Sequence, residues 1–167
     1  MKIELKKISF NERMSEETNC FIADLYINSK KVGSCKNNGC GGSIYYNVDS
    51  FENNKLIAEA EAYCKTLPKC KFREMEWEQS LEGVIDELLE NYLKDKSEKK
   101  MEKLFNTAIV IGIPNDNSYQ FINYKHPLST IPMSALQTKV NEIKNVYCKD
   151  GKVILNTNLK ALGITFK

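Results

Sequence analysis

Phe21-Ile-Ala-Asp-Leu-Tyr-Ile-Asn-Ser-Lys-Lys-Val-Gly-Ser-Cys-Lys36 decides the fold class of this chain. Phe21, Ala23, Leu25 and Ile27 recur at every second position, with Asp24 and Asn28 off that stripe, which predicts a half-buried strand. Asn28-Ser29 begins a tight turn, and the segment from Lys31 to Lys36 returns beside the first strand as a hairpin. Upstream, Ile3 and Leu5, then Ile8 and Phe10, keep alternation on either side of Lys6-Lys7, as a strand with a bulge would. Asn11 to Asn19 is polar and acidic and reads as a loop. Downstream, Ser43 to Val48 predicts a further short strand. The chain up to Val48 is therefore expected to be an antiparallel meander.

Helical periodicity takes over at Asn53. Leu56, Ala60, Tyr63 and Leu67, widened by Ile57 and Cys64, form one stripe that Pro68 ends. Cys70 to Trp77 alternates weakly and reads as one more strand. Leu81, Val84, Ile85, Leu88, Leu89, Tyr92 and Leu93 share the face of a second helix, which either continues through Met101, Leu104 and Phe105 or breaks near Asp95-Lys-Ser97. Its acidic opening (Glu82, Asp86, Glu87, Glu90) and lysine-rich end complement the helix dipole. Ala108 to Ile113 is a buried-strand signal, Pro114 to Asn117 a turn, and Tyr119 to Tyr124 the returning strand of a hairpin. Pro132 opens a third helix with the face Leu136, Val140, Ile143 and Tyr147. Asp150-Gly151 turns into Val153–Leu155, and Asn158 caps a final turn closed by Gly163. Strands first, then helices, then a hairpin indicate one α+β domain over residues 1–167.

The 167 residues are 42% hydrophobic and 28% charged, an ordinary globular composition. Against 22 acidic residues stand 24 basic ones, a net +2 that argues against general nucleic-acid binding. No segment approaches the roughly 20 apolar residues that span a bilayer, and no apolar run follows the charged start Met1 to Lys7. A cytoplasmic location without membrane association is expected, with the six cysteines as free thiols.

Lys36-Asn-Asn-Gly-Cys-Gly-Gly-Ser43 is the candidate site. Amides of Gly39, Gly41 and Gly42, the side chains of Asn37 and Asn38, the Lys36 ammonium and Ser43 offer a concave nest for an anion. Tyr45 or Tyr46, on opposite faces of the following strand, supplies a ring to stack on a base. The stretch matches neither a P-loop nor a dinucleotide fingerprint, and it runs from strand to strand with no helix N-terminus to assist. It reads also as a glycine-permitted connection between two strands that binds nothing.

Other constellations carry bland readings. Cys35-x4-Cys40 with Cys64-x5-Cys70 gives four thiols for a zinc ion, but both spacings exceed the usual knuckle and Cys64 sits on a core-like helix face. Cys40 with His126, the sole histidine, is formally a thiol-enzyme pair. Glu82, Asp86 and Glu90 read as a solvated ridge, with Glu90–Lys94 pairing locally. No catalytic residue, metal or cofactor is assigned.

Ile8-Ser-Phe-Asn-Glu-Arg-Met-Ser-Glu-Glu-Thr-Asn-Cys-Phe-Ile-Ala-Asp-Leu-Tyr-Ile-Asn28 and the tail Ile154-Leu-Asn-Thr-Asn-Leu-Lys-Ala-Leu-Gly-Ile164 resemble small uncharacterised proteins of phages and mobile elements of gut bacteria. The resemblance runs over most of the chain and brings no activity or site residue with it. It implies a context in which accessory proteins inhibit or sequester host factors. The expectation is a non-enzymatic binding protein for an anion or nucleotide at residues 36–43, or else a protein that blocks a host protein, with the Tyr119–Tyr124 hairpin as its contact surface.

Overall fold

The computed structural model describes residues 1–114, 116 and 118–165, and the backbone but not the side chain of Phe72. The expected turn at Pro114–Asn117 falls partly outside the described residues. The chain divides into two compact units, Met1–Leu93 and Lys94–Lys167.

In the first unit, β1 (Ile3–Phe10), β2 (Phe21–Ile27), β3 (Lys30–Asn37) and β4 (Tyr45–Asn47) form an antiparallel sheet in that order. Its register follows the alternation: Phe21, Ala23, Leu25 and Ile27 are all buried. The β1–β2 ladder shifts between Lys6 and Ser9, the expected bulge, with Lys7 at φ 51°. Asn28 and Ser29 both take positive φ, 48° and 67°, as the tightest hairpin turns require. One face of the sheet packs on α1 (Phe51–Cys64) through Ala60 and Cys64, and on the opening of α2 (Leu81–Phe105) through Leu81, Ile85 and Leu89.

Local chemistry sets the helix starts. The Ser50 hydroxyl accepts from Asn53 N at 3.2 Å, so α1 begins at Phe51, two residues before the expected Asn53. Ser80 Oγ accepts from Gly83 N at 3.0 Å, and the Glu61 carboxylate accepts from Leu81 N at 3.2 Å. That places a negative charge from α1 at the electropositive end of α2. α2 continues unbroken through Asp95-Lys-Ser97 to Phe105. Between the helices, Cys70–Trp77 is two strands, not one: β5 (Cys70–Phe72) and β6 (Met75–Trp77) pair antiparallel around Arg73, whose φ is 55°. Met75 and Trp77 are exposed, so no buried face marked the hairpin in the sequence.

In the second unit, β7 (Ala108–Gly112) lies between β8 (Tyr119–Asn123) and β9 (Val153–Ile154), antiparallel to both. β7 is buried throughout because both its faces are covered. Ile109 and Ile111 meet Leu136, Val140 and Ile143 of α3 (Met133–Tyr147), while Ala108 and Val110 cluster with Phe105. Tyr147, expected on the buried face of α3, is exposed, one turn beyond the last core contact.

β9 pairs with β7 for only two residues, and Leu155 N then donates to Val110 O at 2.9 Å. The next rung is made by a side chain. Asn156 Oδ1 accepts from Val110 N at 2.7 Å, and its Nδ2 donates to Ala108 O at 2.8 Å and Phe105 O at 3.4 Å. Asn158, expected to cap the final turn, donates to Phe105 O at 2.9 Å instead; Asn156 is the residue that precedes that turn. Gly163 closes it at φ 79°. Among the described residues no helix is long and apolar enough to cross a membrane.

Candidate functional site

The 36–43 turn is built around one buried amide. Asn37, the last residue of β3, is 6% exposed. Its Oδ1 accepts from Gly39 N at 2.8 Å and from Thr18 Oγ1 at 2.9 Å, and its Nδ2 donates to Gly42 O at 2.7 Å. Gly39 stands at φ 90°, and its carbonyl accepts three amides of the preceding loop: Glu16 N at 3.0 Å, Glu17 N at 2.9 Å and Thr18 N at 3.2 Å. Gly41 N donates to Thr18 Oγ1 at 3.3 Å, and the Glu17 carboxylate lies against Gly41. Two of the three glycine amides expected to receive an anion are thus engaged inside the protein. A carboxylate of the chain already stands beside them. The polar loop at residues 11–19 was read separately from this turn; the two close on one another.

Outward-facing groups remain. Lys36, Asn38, Gly42, Ser43 and Tyr45 are exposed, and Lys36 has no carboxylate partner among the described residues. Lys36 sits directly opposite Tyr45 in the β3–β4 ladder and opposite Ile22 in the β2–β3 ladder. Tyr45 is 60% exposed and Ile22 49%, so the three form a row across the solvent face of the sheet. Tyr46 points the other way and packs against the core. Burial, then the charges of Glu61 and Glu82, hold its phenol well above the ordinary value. Of the two candidate tyrosines, only Tyr45 presents a ring to solvent beside a cation.

The charges of the adjoining rows of that face are partly paired. Asp24 takes Lys31 at 2.7 Å and Lys7 at 3.6 Å, which lowers its own pKa and raises that of Lys31. Lys6 lies 4.2 Å over the Tyr26 ring, a cation–π contact. A shallow depression of about 380 Å3 runs past Lys7, Asp24, Lys31 and Asp49. Lys36 adds a cation with no carboxylate partner among the described residues to a face that already carries Lys6, Lys7 and Lys31.

No known protein family matches this chain, and neither the curated proteins nor the solved structures yield a match.

The thiols separate by environment. Cys35 is fully buried, and burial pushes its thiol up to about 12; Cys64 is also fully buried and shifted upward for the same reason. A metal needs thiolates, and these two core positions oppose ionisation. Cys70 donates to Gln79 Oε1 at 3.3 Å, and Cys40 is exposed on the turn. Among the described residues no group of three or more His, Cys, Asp or Glu side chains is placed to hold a metal ion. Cys40 and His126 belong to different units. Glu82 of the acidic ridge has a structural role: its Oε1 accepts from Ile44 N at 2.7 Å, tying the end of the glycine turn to α2.

Proposed function

We propose that this is a non-enzymatic binding protein whose first unit holds a nucleotide-like anion on the open face of its sheet. Lys36 takes the phosphate, and Tyr45 stacks on the base. The observation that carries this reading is the cross-strand pairing of an unpaired lysine with an exposed tyrosine, next to exposed Ile22. Anion recognition shifts from the glycine amides to the lysine side chain, and the glycine turn serves to hold β3 and β4 in register beneath it. Ring stacking on an aromatic contributes roughly 1–3 kcal/mol per base, so Tyr45→Ala is expected to weaken binding by about fivefold or more. Lys36→Ala is expected to weaken it and to flatten its salt dependence, since each phosphate contact carries a share of the salt slope. Calorimetric titration of the intact protein with mono-, di- and cyclic nucleotides reads both. No heat up to millimolar nucleotide, or unchanged affinity in Tyr45→Ala, removes the assignment.

A second reading rests on β8. It is an edge strand of the second unit, carries no charged residue, and exposes Phe121 (49%) with Tyr119 at 6.4 Å between ring centroids. Uncharged edges of this kind are templates for strand addition by another protein. On this reading the protein blocks a host factor, and Phe121→Lys abolishes recovery of a stoichiometric partner from lysate while leaving nucleotide titrations unchanged. Equal recovery by wild type and Phe121→Lys counts against it.

A further inference from the structure

Charge is segregated between the two units in a way the net +2 conceals. Residues 1–93 hold 12 Lys and Arg against 16 Asp and Glu, a net −4. Residues 94–167 hold 12 lysines against 6 acidic residues, a net +6. Within that basic unit lies a groove of about 530 Å3, bounded by Lys144 of α3, by Cys148 just past its end, by residues 153–157 and by Lys160. The volume falls inside the roughly 300–1,000 Å3 range of small-molecule sites. The groove walls are mainly apolar, and the charged residues that line it are both lysines.

Part of the polar backbone around the groove is already occupied. Leu155 N donates to Val110 O at 2.9 Å, the Asn156 amide is engaged on residues 105, 108 and 110, and the Ile154 backbone N–H is turned toward the Cys148 sulfur. An extended peptide laid here would bury its own amides with few partners, at a cost a hydrocarbon chain does not incur. The occupant that fits is apolar along its length and negative at one end.

We propose that this groove binds an aliphatic carboxylic acid, its chain against the wall formed by residues 153–155 and its carboxylate at Lys160. The site is distinct from the face that carries Lys36 and Tyr45, so either assignment stands without the other.

Cys148 lines the groove and is half-buried, which supplies a reporter. Site-resolved alkylation of the intact protein, read by mass spectrometry, is compared with and without dodecanoate below its micelle concentration. Dodecanoate at ten times its Kd is expected to slow Cys148 modification about tenfold, with exposed Cys40 unaffected as an internal control. Dodecyltrimethylammonium, with the same chain and the opposite charge, is expected to give no protection. Lys160→Glu changes an exposed side chain and is expected to weaken dodecanoate by about fivefold or more. Absence of protection by dodecanoate, equal protection by the cation, or protection only by an apolar peptide with a free C-terminus would each overturn the proposal. Unchanged affinity in Lys160→Glu would overturn the head-group assignment.

Discussion

Asn156→Ala is expected to lower unfolding stability by about 3 kcal/mol, because it leaves a buried donor and a buried acceptor without partners at once. The side chain is 5% exposed and acts as the rung of the β7–β9 ladder that the two-residue strand cannot provide. Removing it leaves Val110 N–H and Ala108 C=O facing an apolar space too enclosed for compensation by bulk water. Phe105 O keeps Asn158 and is spared. Asn156→Asp sharpens the test. A carboxylate still accepts from Val110 N, but it turns a negative oxygen toward the Ala108 and Phe105 carbonyls. Folding then favours the protonated acid, raising the folded-state pKa of the new carboxyl above its unfolded value. The variant's deficit is therefore smallest below the unfolded pKa and grows as pH rises through the folded one. Urea melts at several pH values give both results. A loss under about 1 kcal/mol for Asn156→Ala, or a pH-independent deficit for Asn156→Asp, would show that the rung is dispensable.

Gly39→Ala is expected to cost about 3 kcal/mol or more, from left-handed strain of roughly 1–2 kcal/mol plus a backbone collision. At φ 90° a methyl group would overlap the Met14 carbonyl oxygen and sit 2.9 Å from Cys20 Cβ. Neither is the free end of a flexible side chain, so relief requires the 11–19 loop to move away. That movement breaks the collar of Glu16, Glu17 and Thr18 amides around the Gly39 carbonyl. Gly42 is the control. Its backbone needs no special conformation, and nothing lies within 4 Å of an added methyl, so Gly42→Ala should stay within about 0.5 kcal/mol of wild type. Side-by-side thermal and urea unfolding decides the matter. Coincident transitions for Gly39→Ala and Gly42→Ala would mean the turn is a loose connection with no organising glycine.

The α+β class, the four-stranded meander and its core face were legible because period-two alternation marks every strand with one buried side. The bulge at Lys6-Lys7 and the turn at Asn28-Ser29 were legible for the same local reason. The β5–β6 hairpin was not, since its residues are mostly exposed and burial leaves no imprint on them. The candidate site was legible as a place but not as a mechanism. Glycines at positions 39 and 41 signal a backbone that must turn; they do not say whether the freed amides face a ligand or the chain's own Asn37 and Thr18. Choosing Tyr45 over Tyr46 needed the strand's orientation. Asn156 was missed outright, although an asparagine between Leu155 and Leu159 in an apolar tail is the kind of signal that marks a buried amide. The cationic groove was hidden by an average: opposite excesses in the two halves of the chain cancel in the total.

A sheet whose last rung is an amide side chain behaves like a ruler. The distance from the final paired residue of β9 to Asn156 is set by two backbone steps and one short side arm. Insertion or deletion of a single residue there swings the amide to the opposite face, where no hydrophobic adjustment can replace it. Substitutions in this tail are therefore expected to be tolerated better than insertions or deletions, and a graft or a circular permutation of the protein must keep the segment from Val153 to Asn158 in one piece.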